Sequence, residues 1–391
     1  MKKFLVLTAF ALVCFLVMAI YAPYGRMEEY DGTTIPVNMD SIPTTAPMPP
    51  ITTIIPTTLP TVPIETMPTV PPTEPETEPT APPTEEPQLF EIKMSFTGDM
   101  MLASYKDYTS SGNFNDYANK NEATYFLEKV REVFEYDDFT IVNLENVFSD
   151  RNLTPVEKDH DPAFWFKSKT SNVDILTSSS VEGVSLSNNH TFDYGQAGYE
   201  DTVKAVTDAG LQYGYGSNIM YFEKNGFRIA VICHGLWWED QADNIIKKIK
   251  QAEEHSDFQV VFFHGGTEKL HKPENWKVRA AHKLVDNGAD LVIGSHPHVL
   301  QPKEIYNGVE IVYSLGNFCY GGHNYPENRT IIYQFILNVN ENMEVEWSYS
   351  HIIPCYVYTG NKNNFQPAII EDNDEINRVL SFMDGILDSP L

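Results

Sequence analysis

The 391-residue chain carries 54 acidic against 27 basic side chains, a net charge of −27, and four cysteines. Its length allows one large or two ordinary domains. The acidic surplus argues against nucleic-acid binding, which needs cationic side chains to neutralise phosphate, and the lack of any Cys-x-x-Cys pair argues against a thiolate zinc site.

Two segments precede the region that reads as folded. Lys2-Lys3 is followed by 19 residues, Phe4 to Ala22, whose one clearly polar member is Thr8. At about 1.5 Å rise per residue such a run spans a bilayer core. No small-x-small cleavage site follows it, because Ile20-Tyr21-Ala22 runs straight into Pro23. Residues 1–22 are therefore expected to be a transmembrane anchor rather than a cleaved signal segment, with Lys2 and Lys3 on the cytoplasmic side. The expected location is the cell membrane, single-pass, with the folded domain extracellular. Residues 23–89 read as a disordered Pro/Thr/Glu-rich linker: sixteen prolines lie between Pro36 and Pro87, and residues 27–90 hold ten acidic and no basic side chains. Such a composition buries too little apolar surface to offset its conformational entropy. Proline biases it to polyproline II, and about 60 residues would reach on the order of 190 Å.

From Phe90 the pattern changes. Residues 91–96 alternate apolar and polar and predict a strand ending at Thr97-Gly98-Asp99. Phe126, Leu127, Val130 and Phe134 fall at helical spacing and predict a helix over 123–134. A strand at 139–142 closes on Asn143-Leu144-Glu145. After a short helix near 173–176, the buried run Val184-Ser185-Leu186 leads into Ser187-Asn188-Asn189-His190-Thr191-Phe192-Asp193-Tyr194-Gly195 and then a helix. Strands at 227–232, 258–263, 291–293 and 309–313 alternate with helices at 244–254 and 277–287. His264-Gly265-Gly266 and Gly294-Ser295-His296-Pro297-His298 end two of those strands. Two strands, 331–338 and 343–349, are expected to pair antiparallel across Asn340-Glu341-Asn342, with a last helix at about 375–387 packed on them. This alternation predicts an α/β fold, with residues 90–325 as the main domain and 326–391 completing it. The remaining cysteines, Cys233, Cys319 and Cys355, have apolar flanks and read as buried thiols.

Asp99, Glu145, Asn189, His190, His264, His296 and His298 all close strands, and parallel strands would bring those ends to one edge. Singly each has a plain structural reading: Asp99 as a turn cap, Glu145 as surface charge, His264 as a core imidazole. The His-Pro-His triplet reads more strongly as a metal site, two imidazoles projecting to one side of an extended segment. Together His, Asp, Glu and an amide oxygen suit two ions of Mn, Zn or Fe. Trp237-Trp238 reads equally as groove lining or as packing.

The ordered motifs Gly98-Asp99, Asn143-Leu144-Glu145, Asn188-Asn189-His190 with Asp193, His264-Gly265-Gly266 with Glu268, the 288–299 segment through His296-Pro297-His298, and Ser314-Leu315-Gly316-Asn317-Phe318 resemble the CapA-type capsule-synthesis family. Members are associated with poly-γ-glutamate synthesis or export. That family is in turn similar to calcineurin-like metallophosphoesterases, which implies a four-layer α/β/β/α sandwich. The resemblance implies that Asp99 binds a first metal, Glu145 bridges two, Asn189, His264 and His296 hold the second, and His298 returns to the first. It implies His190 as general acid with Asp193 orienting it. Glu268 and Asn317 are substrate-binding candidates, Asn317 with a structural role near the metals as the alternative. The expected cofactor is two divalent ions, with only one held tightly as the alternative, because Met101 stands where such sites usually have a His. The expected partners are capsule or poly-γ-glutamate synthesis and export proteins, with the membrane reached through the N-terminal helix.

Three functions compete on these grounds. The first is an anchored metal-dependent hydrolase, phosphoesterase-like. The second is a non-catalytic, metal-stabilised scaffold of an envelope polymer complex, and a weaker third is an adhesion module suggested by the stalk.

Overall fold

The structure is a computed structural model that describes residues 89–108, 111–159 and 162–391. The expected anchor (1–22) and nearly all of the expected linker (23–89) lie outside the described residues. Among the described residues no helix is long and apolar enough to cross a membrane.

In chain order the elements are β1 (Phe90–Met101), α1 (Phe114–Ala118), α2 (Arg131–Glu135), β2 (Phe139–Leu144), β3 (Val147–Phe148), β4 (Lys167–Ser168), α3 (Asp174–Thr177), β5 (Gly183–Ser185) and α4 (Gly195–Asp208). There follow β6 (Gln212–Gly214), β7 (Met220–Lys224), β8 (Phe227–Gly235), α5 (Ala242–Glu253), β9 (Phe258–His264), α6 (Asn275–Val285), β10 (Leu291–Ser295), β11 (Leu300–Tyr306) and β12 (Val309–Leu315). Last come β13 (Asn317–Tyr320), β14 (Thr330–Val339), β15 (Val345–Tyr356), β16 (Ala368–Ile369) and α7 (Asn373–Met383).

Two sheets carry the fold. One runs β16-β15-β14-β1-β2-β5-β6 with β13 also on β1; the other runs β11-β12-β10-β9-β8-β7. β1, β2, β5 and β6 are mutually parallel, as are β8, β9, β10 and β12. Their side chains alternate between two burials, as a sheet covered on both faces requires. Met94, Phe96, Val231, Val260, Phe262 and Ile293 fill the space between the sheets. Val142, Leu144 and Val184 face outward onto Leu176 of α3 and Val206 of α4. Ile232, Val261 and Val292 face the opposite way, onto Ile245 and Ile249 of α5 and Ala281 and Leu284 of α6. Three apolar layers thus separate helix, sheet, sheet and helix. Val379, Phe382 and Met383 of α7 join the central layer.

The expected helix over 123–134 is largely absent. The chain makes a 3-10 turn at Ala123–Tyr125 and becomes α-helical only at Arg131–Glu135. Where the helix would run, the Gln366 side chain donates to the Tyr125 carbonyl at 2.7 Å. The apolar spacing is satisfied by burial instead, since Phe126, Leu127, Val130 and Phe134 all enter the core. The hairpin of β14 and β15 is antiparallel as expected. β11 was hidden in the sequence by Pro302, which an edge strand tolerates. Cys233, Cys319 and Cys355 are free and buried, as their flanks predicted.

Candidate metal centre

Parallel pairing brings the expected strand ends together. Asp99 lies two residues before the end of β1, beside Asn143 of β2, and Glu145 follows β2, its N–H donating to Met100 O at 2.9 Å. The loop after β5 supplies Asn189, His190 and Asp193. His264 ends β9 beside Ser295 of β10, and His296 and His298 follow β10. Asp99, Glu145, Asp193 and His264 are essentially inaccessible, whereas Asn189 sits exposed at the mouth.

Glu145 is the hub. Its Oε1 lies 3.5 Å from His264 Nε2, 4.0 Å from His190 Nε2 and 4.0 Å from His298 Nε2. Neither of its oxygens has a hydrogen-bond partner. A buried carboxylate without partners costs several kcal/mol unless a charge compensates it. Around the same point His264 Nε2 stands 2.8 Å from Asn189 Oδ1 and 3.0 Å from His296 Nδ1.

The outer hydrogen bonds aim these lone pairs. Ser295 Oγ donates to Phe263 O at 3.2 Å and stands 3.0 Å from His264 Nδ1, which also meets Asn143 Nδ2 at 3.1 Å, so the imidazole is gripped on that side with Nε2 toward Asn189 and Glu145. His298 Nδ1 faces two acceptors, Asn317 Oδ1 at 2.9 Å and Asp99 Oδ2 at 3.1 Å. It therefore carries the proton, and Nε2 is turned toward Glu145. Asn143 Nδ2 donates to Asp99 Oδ1 at 2.8 Å and fixes that carboxylate. His190 Nδ1 donates to Asp193 Oδ2 at 2.9 Å, and that oxygen also accepts the Phe166 N–H at 2.7 Å.

The electrostatics describe a site short of positive charge. Burial, then the charge of Asp99, pushes the Glu145 carboxyl well above its usual range. Burial and the neighbouring imidazoles of His296 and His298 hold His264 well below its own, and burial with His298 does the same to His296. For His298 burial works downward, but Glu145 and Asp99 outweigh it and push it up to about 10. For His190 burial wins over Asp193 and the shift is downward.

Three groups could hold an ion, their ligand atoms all within 4.8 Å of one another: Glu145 with His264 and His296, Asp99 with Glu145 and His298, and Glu268 with His296 and His298. A buried carboxylate with no hydrogen-bond partner, Glu145, set beside Asp99, the imidazoles and an amide oxygen, fits divalent cations of the Mn, Zn or Fe kind.

Some placements differ from expectation. The two imidazoles of His296-Pro297-His298 do not project from an extended segment. His296 has φ +96° and His298 φ +58°, so a turn brings their rings to 5.7 Å between centroids. Asn317 is buried and gives both ends of its amide to His298, with Nδ2 donating to His298 O at 3.1 Å. Trp237 lies edge-on to His296 and His264 at 4.8 and 5.7 Å, while Trp238 is largely exposed. The sequence reading missed Asn143 as a site residue, although it sits inside a quoted motif. It also missed Ser295 and Lys158. Lys158 Nζ pairs with Asp193 Oδ1 at 2.7 Å, and a lone lysine in a loop gave no signal.

A family described as "Bacterial capsule synthesis protein PGA_cap" matches residues 93–321, the span that contains every one of these groups. The chain belongs to this family. It is similar to the PGA biosynthesis protein CapA of Bacillus subtilis (strain 168), 28% identical over 252 residues that cover 59% of this chain and 63% of that one. It is equally similar to the capsule biosynthesis protein CapA of Bacillus anthracis, 28% identical over 255 residues, covering 59% and 60%. The matched region thus spans about three fifths of the length of these relatives. A hypothetical protein from Thermus thermophilus aligns over 67% of this chain and 99% of its own, 14% identical with a TM-score of 0.41, and nothing further rests on that likeness. In this PGA_cap chain, the family match and the buried ligand cluster fall on the same residues.

Proposed function

We propose that this is a membrane-anchored extracellular protein of capsule or poly-γ-glutamate synthesis or export, whose two-cation site hydrolyses a phosphoester-like bond. The observation that carries the reading is Glu145: a fully buried carboxylate with both oxygens unpartnered, facing three imidazole nitrogens. Asp99, Glu145 and His298 would hold the first ion, and Glu145, Asn189, His264 and His296 the second. Two such cations would polarise a phosphoryl oxygen and supply a nucleophile at neutral pH.

The chain's own groups do the rest. His190 lies outside both ligand sets and points Nε2 into the centre. Its Nδ1 donates to Asp193, which offsets part of the downward pull of burial on the imidazolium whose Nε2 proton would pass to a leaving oxygen. Asn317 holds His298, and Ser295 with Asn143 holds His264, in orientations that turn Nε2 toward Glu145. Glu268, exposed at the mouth, is placed to meet substrate. The anchor and linker read from residues 1–89 support the location outside the membrane, and the PGA_cap match supports partners in a polymer synthesis or export complex.

The test uses the purified full-length chain in detergent. Metal analysis should find divalent ions, and a generic aryl phosphate should be cleaved in a manner lost in His298→Ala. Absence of bound metal together with activity indifferent to His298→Ala would overturn the reading.

A second reading, a non-catalytic metal-stabilised scaffold of the same machinery, is favoured by Met101. It is fully buried on β1 two residues beyond Asp99 and leaves the first position with three protein donors. Polymer production that survives ligand substitutions but not removal of the anchor would decide for the scaffold.

A further inference from the structure

The connection between β3 and β4, residues 149–166, lies against the loop that carries His190. Three contacts from it converge on Asp193. Val156 N–H donates to the Asp193 backbone O at 2.9 Å, Phe166 N–H donates to Oδ2 at 2.7 Å, and Lys158 Nζ stands 2.7 Å from Oδ1. Phe166 also meets His190 directly, its ring edge-on to the imidazole at 4.7 Å. None of the three candidate ligand groups contains Lys158 or Asp193, so this assembly serves the imidazole rather than the ions.

The two oxygens of Asp193 are held differently. Oδ2 accepts from His190 Nδ1 at 2.9 Å as well as from the Phe166 N–H. Oδ1 has no partner among the described residues besides Lys158. The last torsion of an aspartate is broad, so the plane of the carboxylate is set only when both oxygens are engaged. Lys158 is placed to do this. Its side chain is 14% exposed and that of Asp193 is fully covered. Its Nζ donates to Phe164 O at 2.7 Å and lies over the Trp165 ring at 5.8 Å. Trp165 Nε1 donates to Val156 O at 2.7 Å, and Trp165 O accepts the Lys106 N–H at 2.9 Å, which ties the loop to the segment after β1.

Resting on His190 as the general acid of the proposed hydrolysis, we propose that Lys158 is a positioning residue for that acid. It locks the Asp193 carboxylate, and through it the imidazole, so that Nε2 faces the leaving oxygen. The Nε2 proton passes to that oxygen as the P–O bond breaks and its electron pair leaves with the oxygen. The competing role is stability alone, because stranding one charge of a covered ion pair is destabilising whatever else the pair does.

The test compares two esters on the full-length chain in detergent, loaded with Mn²⁺: phenyl phosphate, whose leaving oxygen is basic and needs a proton, and 4-nitrophenyl phosphate, whose leaving oxygen needs one far less. Lys158→Met should lower kcat on phenyl phosphate by about ten- to hundredfold, with KM and bound metal unchanged, and lower it much less on the nitrophenyl ester. Lys158→Arg, which keeps the cation, should restore most of the loss. In an Asp193→Asn background Lys158→Met should cost no further turnover, because the carboxylate it positions is gone. That double variant strands no charge, so it decides even if the single variant folds poorly. Equal losses on the two esters, no loss on either, or turnover in the double variant below that of Asp193→Asn overturns the assignment and leaves the hydrolase reading standing. A wild type that cleaves neither ester overturns both.

Discussion

His190 Nδ1 lies 2.9 Å from Asp193 Oδ2, three residues along the same loop. Asp193 is held from outside that loop as well, by the Phe166 N–H at 2.7 Å and Lys158 Nζ at 2.7 Å. The imidazole is therefore fixed in one orientation with Nε2 free. His190→Ala is expected to lower aryl phosphate turnover by about 10²–10⁴-fold with metal content unchanged. Asp193→Asn removes a charge that raises the His190 pKa. The alkaline limb of the pH–rate profile, where the acid form is lost, should then move to lower pH. Metal analysis beside kinetics separates this from a ligand defect.

A different balance governs Glu145. Its buried, unpartnered carboxylate opposes folding in the metal-free protein and favours metal uptake. Glu145→Gln keeps the shape and removes the charge. It is expected to abolish metal binding while stabilising the metal-free chain by about 1–3 kcal/mol. Thermal melts with and without chelator check both halves: the wild type should gain stability on loading, and Glu145→Gln should not.

The parts of this arrangement that could be read in advance follow from local patterns. Strands such as β9 and β10 are continuous apolar runs because both faces are buried, and each ends abruptly in polar residues. The order Asp99, Glu145, Asn189, His264, His296 was therefore visible without any three-dimensional knowledge. The interruption of the 123–134 helix was not: the segment there meets Gln366, 241 positions from its partner Tyr125. The positive φ of His296 and His298 reversed the geometric argument for the triplet while leaving the two imidazoles together.

Lys277, on which Asp99 of the centre also acts, provides a further pH dependence. It is fully buried, with Nζ donating to Gln301 Oε1 at 2.8 Å, and Gln301 Nε2 donating to Leu270 O at 2.8 Å. Burial outweighs the pull of Glu274 and lowers its pKa from 10.5 to about 7. Between those values the unfolded chain holds the extra proton, so stability should rise with pH across this window and level off at its lower value below about 7. Lys277→Met is expected to flatten that rise, a difference on the order of a few kcal/mol in unfolding free energy between the two ends. Denaturant melts of both proteins across the window give the comparison.

Gly98 tests how closely the sheet and the centre are joined. The Asp99 N–H donates to Gly316 O at 2.9 Å, so β1 and the turn before β13 run in contact at the point where Asp99 must be placed. A Cβ on Gly98 would overlap that same carbonyl oxygen. Backbone cannot swing aside as a flexible side chain does, so Gly98→Ala must part the two segments. Parting them moves Asp99 away from His298 and Asn317, which face it from the far side. The expected result is a loss of about 2–4 kcal/mol in stability, together with weaker binding at the first metal position. At Gly112, where a Cβ meets nothing within 4 Å and φ is +82°, alanine carries only the backbone strain of a positive φ, about 1 kcal/mol. Melts of the two variants beside metal titrations check the contrast, and equal effects at both positions would remove the steric explanation.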